Sequence, residues 1–447
     1  MIQPILQIFT KLLGIKQDDQ YSDYVLKNIL RLFLLHAASI VIGFLSNYTF
    51  IRLVGVQDYG SYVYIFNLLY LLAGFCILGV DTLLVKKISI YDEAKQFGEL
   101  KGVVSYSFTV AIIGSFVFAV ISSGATSITG VLKYLGNNNW FMLAYPVLLM
   151  LSLTQVNQSS LQGLKKIFLS QVTEKLIRPL LVFIFVLIPF LAGEKIALRE
   201  LIRINVLAMG LAFFVTYVFF QKNIGSKLKG IKPEFELKEW SYSSLAFFLI
   251  GALYVLNSRV DIFFLGFFKG NDDVGVYNIV LKISEVIGFS LVLINFTLAP
   301  VIARMYANGE IANLQKMITR SAQIVLALSI PVVLVIIFFT GNILLFFGDS
   351  FLTGRTALLV LCLGQLINIF SGSVGMLLMM SGNQRFSIYS LVASTVLNIS
   401  LNIILIPRYG ILGAAIANAA SMVVWNFLMY FFVRTRVKIR PTAFGVI

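Results

Sequence analysis

The feature that most limits how this 447-residue chain can fold is its division into long apolar blocks separated by short polar stretches. A helix rises about 1.5 Å per residue, so about 20 apolar residues cross a hydrocarbon core about 30 Å thick. Many blocks reach that length. Lipid offers no partner for a bare backbone N–H or C=O, so each block must be a helix. The alternation of a lipid-facing barrel strand is absent. Composition agrees: 59% of residues are hydrophobic and 12% charged, against about 45–50% and about 25% in a soluble domain. The chain therefore reads as an all-α polytopic membrane protein. Segmentation gives about twelve spans, near 32–53, 62–84, 102–125, 140–162, 171–192, 201–221, 242–267, 274–299, 318–340, 355–380, 386–406 and 410–433.

The formal net charge of +15 would suggest a nucleic-acid partner in a soluble protein. Here its distribution follows the positive-inside rule. The N-terminus, even-numbered loops and C-terminus hold 25 Lys and Arg, and the odd-numbered loops hold 8. Arg259 and Lys282 lie inside spans. Both termini are thus expected in the cytoplasm, with no nucleic-acid role. Residues 1–30 read as an amphipathic cytoplasmic segment on the membrane surface, since Ile2, Ile5, Leu6, Phe9, Leu12 and Leu13 share a helix face. No cleavable signal is expected there. The remaining divisions expected are a six-helix bundle over 31–221, a cytoplasmic linker over 222–240, a second bundle over 241–434 and a tail over 435–447. Cys76 and Cys362 lie in spans as packing residues, and a single histidine, His36, rules out a multi-histidine metal site.

A repeat divides the chain. Gly55-Val-Gln-Asp58-Tyr-Gly60-Ser-Tyr62 and Gly270-Asn-Asp-Asp273-Val-Gly275-Val-Tyr277 both read G-x-x-D-x-G-x-Y, at an offset of 215 residues. Each precedes the second helix of a six-helix half. The glycines permit positive φ, the aspartate is expected to cap the next helix, and the tyrosine suits the wet edge of the bilayer. Six spans per half make the halves parallel, an arrangement found in transporters.

The same motif, together with Leu397-Asn398-Ile-Ser-Leu401-Asn402 and Ile406-Pro407-Arg-Tyr-Gly410-Ile-Leu-Gly413-Ala-Ala-Ile-Ala417, resembles the Wzx-type polysaccharide-unit flippases of the multidrug/oligosaccharidyl-lipid/polysaccharide exporter superfamily. Asn257-Ser-Arg259-Val-Asp261 is similar to that family's seventh helix. The resemblance implies two parallel-related six-helix bundles around a central cavity in a bacterial inner membrane. It implies alternating-access passage of an undecaprenyl-pyrophosphate-linked oligosaccharide to the periplasmic leaflet, for O-antigen or other surface polysaccharide. Expected partners are the lipid-linked oligosaccharide, the bilayer, and the polymerase and chain-length proteins of such a pathway. A cation-coupled drug antiporter of the same superfamily is the rival. A membrane polymerase ranks lower, because no loop is large enough to hold a catalytic domain.

Ionisable residues within spans are the first functional candidates, because burying them is costly. Arg259 and Lys282 suit a pyrophosphate or sugar, and arginine's planar fork can bind phosphate with two hydrogen bonds. Asp261 and Glu285 are the candidate carboxylates for coupling to an H+ or Na+ gradient. The structural alternative pairs Arg259 with Glu285 and Asp261 with Lys282. Arg178, just before Pro179, and the amides Gln155, Gln158 and Asn257 complete the expected substrate surface. Asp81 is expected to pair with Lys86 or Lys87. No residue is assigned a catalytic role, no metal or other cofactor is implied, and no phosphate-binding G-x-x-x-x-G-K-[ST] loop exists.

Overall fold

Glycines bend the two longest helices partway along their length. The structure, a computed structural model, describes residues 20–129 and 140–445. Helix α1 runs Gln20–Cys76 and changes direction at Gly55, whose φ of 82° lies outside helical geometry. After a break at residues 77–79 come α2 (Val80–Glu93), α3 (Phe97–Thr129) and α4 (Trp140–Gly163). Helix α5 (Ile167–Val172) passes through a π turn, Thr173–Ile177, into α6 (Arg178–Leu191). Proline lacks an N–H, and its ring crowds the carbonyl four residues back. For Pro179 that carbonyl belongs to Lys175, inside the π turn, whose wider ring relieves the crowding. Helix α7 (Leu198–Phe220) completes this set, and α8 (Leu237–Phe268) follows the polar stretch after it.

The rest comprises α9 (Asn271–Ala307), α10 (Ile311–Phe338), α11 (Thr340–Phe347), a 3-10 turn, α12 (Arg355–Ser371), α13 (Val374–Met380) and α14 (Gln384–Phe432). Helix α14 bends at Gly410, with φ 53°. No strand occurs among the described residues. Among the described residues, eight helical stretches are long and apolar enough to cross a membrane. Two of them, Arg31–Cys76 and Gln384–Val437, have 46 and 54 residues, more than twice what one crossing needs. These are the two that bend at Gly55 and Gly410. Of the expected surface segment 1–30, residues 1–19 lie outside the described residues, and 20–30 continue as the start of α1.

The chain forms two compact units: Leu34–Leu256 is one, and the residues up to Phe33 with those from Asn257 onward are the other, so the boundaries fall within α1 and α8. In the first unit (Leu34–Leu256), one core gathers Leu83, Leu84, Ile88, Val103, Val156 and Trp240. The stretch 222–240, expected as a linker, supplies part of that core through Ile224, Leu228 and Trp240. Its backbone is also fastened. Glu234 N donates to Gly98 O at 3.0 Å, and Lys101 Nζ reaches Ile231 O at 2.7 Å. Lys87 Nζ donates to Glu239 Oε1 at 2.6 Å, and Trp240 Nε1 donates to the Tyr91 hydroxyl at 3.2 Å. Burial by itself would lower the pKa of the Lys87 ammonium, but hydrogen bonds to Glu239 and Tyr91 hold it above the ordinary lysine value.

In the second unit, the tail is bound as well. Gln315 Nε2 donates to Arg440 O and Arg440 N donates to Gln315 Oε1, each at 2.7 Å. Val437 and Ile439 are buried.

The repeated turn keeps its glycines and loses its expected cap. Gly55 and Gly270 adopt nearly the same backbone, φ/ψ 82°/171° and 99°/−176°. Gly270 is itself the N-terminal cap of α9, without a capping side chain, and Asp273 lies in the first turn. Its carboxylate there favours the helix dipole rather than closing a capping bond. Asp273 Oδ2 lies against Gly410, 3.3 Å from where a Cβ on that glycine would sit.

Candidate functional site

Asp261 is fully buried, alone among the charged residues singled out in the sequence. It lies on α8 with no exposed surface, in the second unit. Its Oδ2 accepts from the Tyr277 hydroxyl and, at 2.9 Å, from Asn418 Nδ2, while Oδ1 has no partner. Tyr277 is the tyrosine of the repeated turn, so the duplicated motif delivers a donor to the buried carboxylate. Among the described residues neither Asp261–Lys282 nor Arg259–Glu285 is a contact ion pair, and that structural alternative is set aside.

A polar seam extends from this point. One turn before Asp261, Asn257 Nδ2 donates to Ser394 Oγ and Thr395 Oγ1, each at 3.0 Å. Asn398 Nδ2 donates to Ser421 Oγ at 3.0 Å, and Asn402 Nδ2 to Asn398 Oδ1 at 2.7 Å. These bonds join α8 to α14 and the two segments of α14 to each other. Interhelical amides of this kind hold membrane helices together where lipid gives no hydrophobic drive. Asn257 is thus engaged within the protein.

Arg259 is half-buried and makes no hydrogen bond or ion pair among the described residues. It lies within electrostatic reach of Asp261 and Lys282, and Glu285 lies within reach of Lys282. Lys282 is half-buried and Glu285 exposed. The second unit therefore brings Asn257, Arg259, Asp261, Lys282 and Glu285 onto adjoining stretches of α8 and α9, as two basic side chains, two acidic ones and an amide.

Arg178, Gln155 and Gln158 fall in the first unit. Arg178, at the end of the π turn, pairs through Nη1 with Glu174 and stacks over Tyr70, its guanidinium carbon 5.2 Å from the ring centre. Its Nε has no partner. Nearby, the Tyr62 hydroxyl donates to Asn205 Oδ1 at 2.9 Å. Gln158 Nε2 is buried without a partner, as are both side-chain polar atoms of Asn157 and the hydroxyl of Thr173. Unpaired buried polar atoms are costly and uncommon. Their concentration on α4 and at the π turn marks a polar surface in this unit. Gln155 is engaged otherwise, donating through Nε2 to Asp81 Oδ2 at 3.3 Å. The expected pairing of Asp81 with Lys86 or Lys87 does not form, because Lys87 is taken by Glu239 and Glu236.

Asn418 and Asn205 are the polar neighbours of these residues that pattern reading did not select. Asn418 directly follows the Gly413-Ala-Ala-Ile-Ala417 run, and that adjacency was the available signal.

All-helical, membrane-spanning and built in two units, the chain has the architecture of a multi-pass transporter. Its residues 25–306 match the family model described as polysaccharide biosynthesis protein, and the chain belongs to that family. A second model, MatE, matches residues 246–404. Among curated proteins, it is 26% identical over 231 residues to the probable low-salt glycan biosynthesis flippase Agl15 of Haloferax volcanii, covering 51% of this chain and 48% of that one. It is 28% identical over 177 residues to the probable flippase AglR of the same organism, covering 38% and 37%. The matches thus span about half of these relatives or less. Among solved structures, an inward-facing multidrug resistance MATE family transporter of the MOP superfamily superposes with a TM-score of 0.73 at 16% identity, over 89% of this chain and 94% of that one. The lipid II flippase MurJ in its inward closed conformation gives 0.69 at 16% identity, over 91% and 88%. The fold is that of the MOP superfamily.

Proposed function

We propose that this protein is a flippase, a transporter rather than an enzyme, that carries an undecaprenyl-pyrophosphate-linked oligosaccharide from the cytoplasmic to the periplasmic leaflet by alternating access. Membership of the polysaccharide biosynthesis family carries the reading, and the names of the two curated relatives support it. Both relatives come from an archaeon, so support is stronger for a lipid-linked glycan than for O-antigen or for one particular polyprenol. An inner-membrane location with twelve crossings and cytoplasmic termini rests on the charge asymmetry of the loops.

In this reading Arg259 and Lys282 meet the pyrophosphate or the first sugar. Arg259 is suited because no carboxylate neutralises it by contact, so its fork is available to phosphate oxygens. Arg178 and Gln158 serve the sugar side, each with an unpaired buried nitrogen. Asp261 and Glu285 couple the cycle to an H+ or Na+ gradient, and the unpartnered Oδ1 of Asp261 supports that role. The test is leaflet translocation of a labelled lipid-linked oligosaccharide in proteoliposomes. Arg259→Ala should slow it at least about tenfold, equivalent to about 1.4 kcal/mol, with unchanged protein in the membrane. Unaltered translocation in that variant removes Arg259 from the substrate path. The MatE match over residues 246–404 favours a second reading, a cation-coupled drug antiporter. Proton- or sodium-driven efflux of organic cations, with no glycan-lipid movement, would establish it instead.

A further inference from the structure

A second charged group of the first unit is Asp81, near the start of α2. Between the end of α1 and the start of α2 the chain turns through Leu78 and Gly79, both with positive φ, 45° and 77°. A left-handed leucine is strained, because its Cβ crowds the following carbonyl. Glycine is required at 79 twice over: for its φ, and because a Cβ there would sit 2.3 Å from Ser244 O and 2.5 Å from Phe248 N. The break is therefore locked against α8 and cannot straighten into one helix.

Beside it is a cavity of about 100 Å³. Its apolar wall includes Phe75, Phe247 and Phe248, and its polar end consists of Asp81, Thr82 and Gln155. Gly74 and Gly251 line it, with no atom within 4 Å of where a Cβ on either would lie. Among the described residues Asp81 has no ion-pair partner, since Lys87 is committed to Glu239 and Glu236. A carboxylate against apolar walls without a counter-charge is expensive.

We propose that this cavity binds a monovalent metal cation, held by the Asp81 carboxylate with the oxygens of Thr82 and Gln155. Size and charge select that ligand class. That is space for a small ion with a few waters, whereas pockets for organic ligands start near 300 Å³. One carboxylate balances one positive charge, while divalent calcium sites gather several. Interrupted helices hold sodium in other transporters; here the turn itself takes the Phe75 and Ile77 carbonyls, through Leu78 N and Val80 N, so the side-chain oxygens carry the site. Gly74 and Phe75, from the last turn of α1, line this cavity. The site does not depend on what is transported, so a negative glycan-lipid assay leaves it standing.

Thermal unfolding of the purified full-length protein in micelles tests it, with NaCl exchanged for choline chloride at fixed ionic strength. Sodium should give a saturable rise in the midpoint, on the order of 2 °C. Asp81→Asn keeps the side-chain shape and its hydrogen-bonding capacity, so the midpoint in choline should hold while the sodium response disappears. Thr82→Val should raise the half-saturating sodium concentration several-fold, and it decides the matter if Asp81→Asn does not fold. Three results overturn the proposal: an equal rise in choline, a sodium response unchanged in both variants, or a response abolished by Asp261→Asn and untouched by Asp81→Asn.

Discussion

The two copies of the repeated turn share a backbone and differ in what that backbone positions. Gly55 and Gly270 hold the same unusual φ/ψ, and Tyr62 and Tyr277 follow at the same distance. In the first copy the Tyr62 hydroxyl meets an amide, Asn205 Oδ1, at 2.9 Å. In the second, the Tyr277 hydroxyl meets a carboxylate, Asp261. At the 215-residue offset the counterpart of Asp261 is Ser46, which turns its hydroxyl back to Ile42 O at 2.8 Å. A second exchange runs the other way. Asn47 and Tyr59 bond at 2.9 Å in the first copy, and the residues at the same offset, Ile262 and Val274, are apolar and fully buried. Duplication thus preserved the turn, while the polar chemistry moved by one position. The second copy lacks the neutral polar pair and carries an ionisable group beside that position.

If that exchange made the second copy the ion-responsive one, returning it should have the largest effect. Asp261→Ser gives the second copy the residue of the first. Translocation should fall at least about tenfold, or about 1.4 kcal/mol, and stability should drop by about 1–3 kcal/mol because the buried Tyr277 hydroxyl loses its acceptor. Initial translocation rates and denaturation of the same preparation separate the two losses. A variant that transports normally would mean the carboxylate is a packing residue and the two copies are functionally alike.

How far this contrast was legible before the fold was known depends on the kind of interaction. The apolar blocks and the two turn glycines are local signals, and both reappear as helices and as positive-φ positions. Arg259, Asp261, Lys282 and Glu285 stood out because charge in an apolar block is conspicuous. Their pairing was not legible. Asp261 takes Asn418, 157 residues away, and the local signal for that asparagine is its place just after the Gly413-Ala-Ala-Ile-Ala417 run, which says nothing of its partner. The Leu78–Gly79 break was hidden for a related reason. Leucine gives no turn signal, and the need for glycine at 79 comes from the approach of α8, a tertiary fact. The stretch 222–240 looked like a linker because it is rich in lysine, yet Trp240 and Leu228 anchor it in a core.

A smaller effect separates the two tyrosines. Tyr277→Phe removes a donor from a carboxylate, and Tyr62→Phe removes one from an amide. Hydrogen bonds to charged groups contribute about 1.5–3 kcal/mol, and neutral ones about 0.5–1.5. Unfolding free energies should therefore fall more for Tyr277→Phe, with Tyr62→Phe near 1 kcal/mol. Equal losses would indicate that Asp261 carries no more charge than an amide when folded, which would sharpen its assignment toward a proton site.

The smallest effect tests the second exchange. Tyr59→Phe alone and Asn47→Leu alone each remove this one neutral hydrogen bond, so each should cost about 0.5–1.5 kcal/mol. The double variant removes both polar ends together, as the second copy has done with Ile262 and Val274. Replacing both partners by apolar groups of similar shape is often nearly neutral, so the double variant should lose less than the sum of the singles, with a coupling of about 0.5–3 kcal/mol. Strict additivity would mean that the Asn47–Tyr59 bond contributes little by itself. The loss of that pair from the second copy would then have been free, and the gain of Asp261 would stand as an independent change rather than half of an exchange.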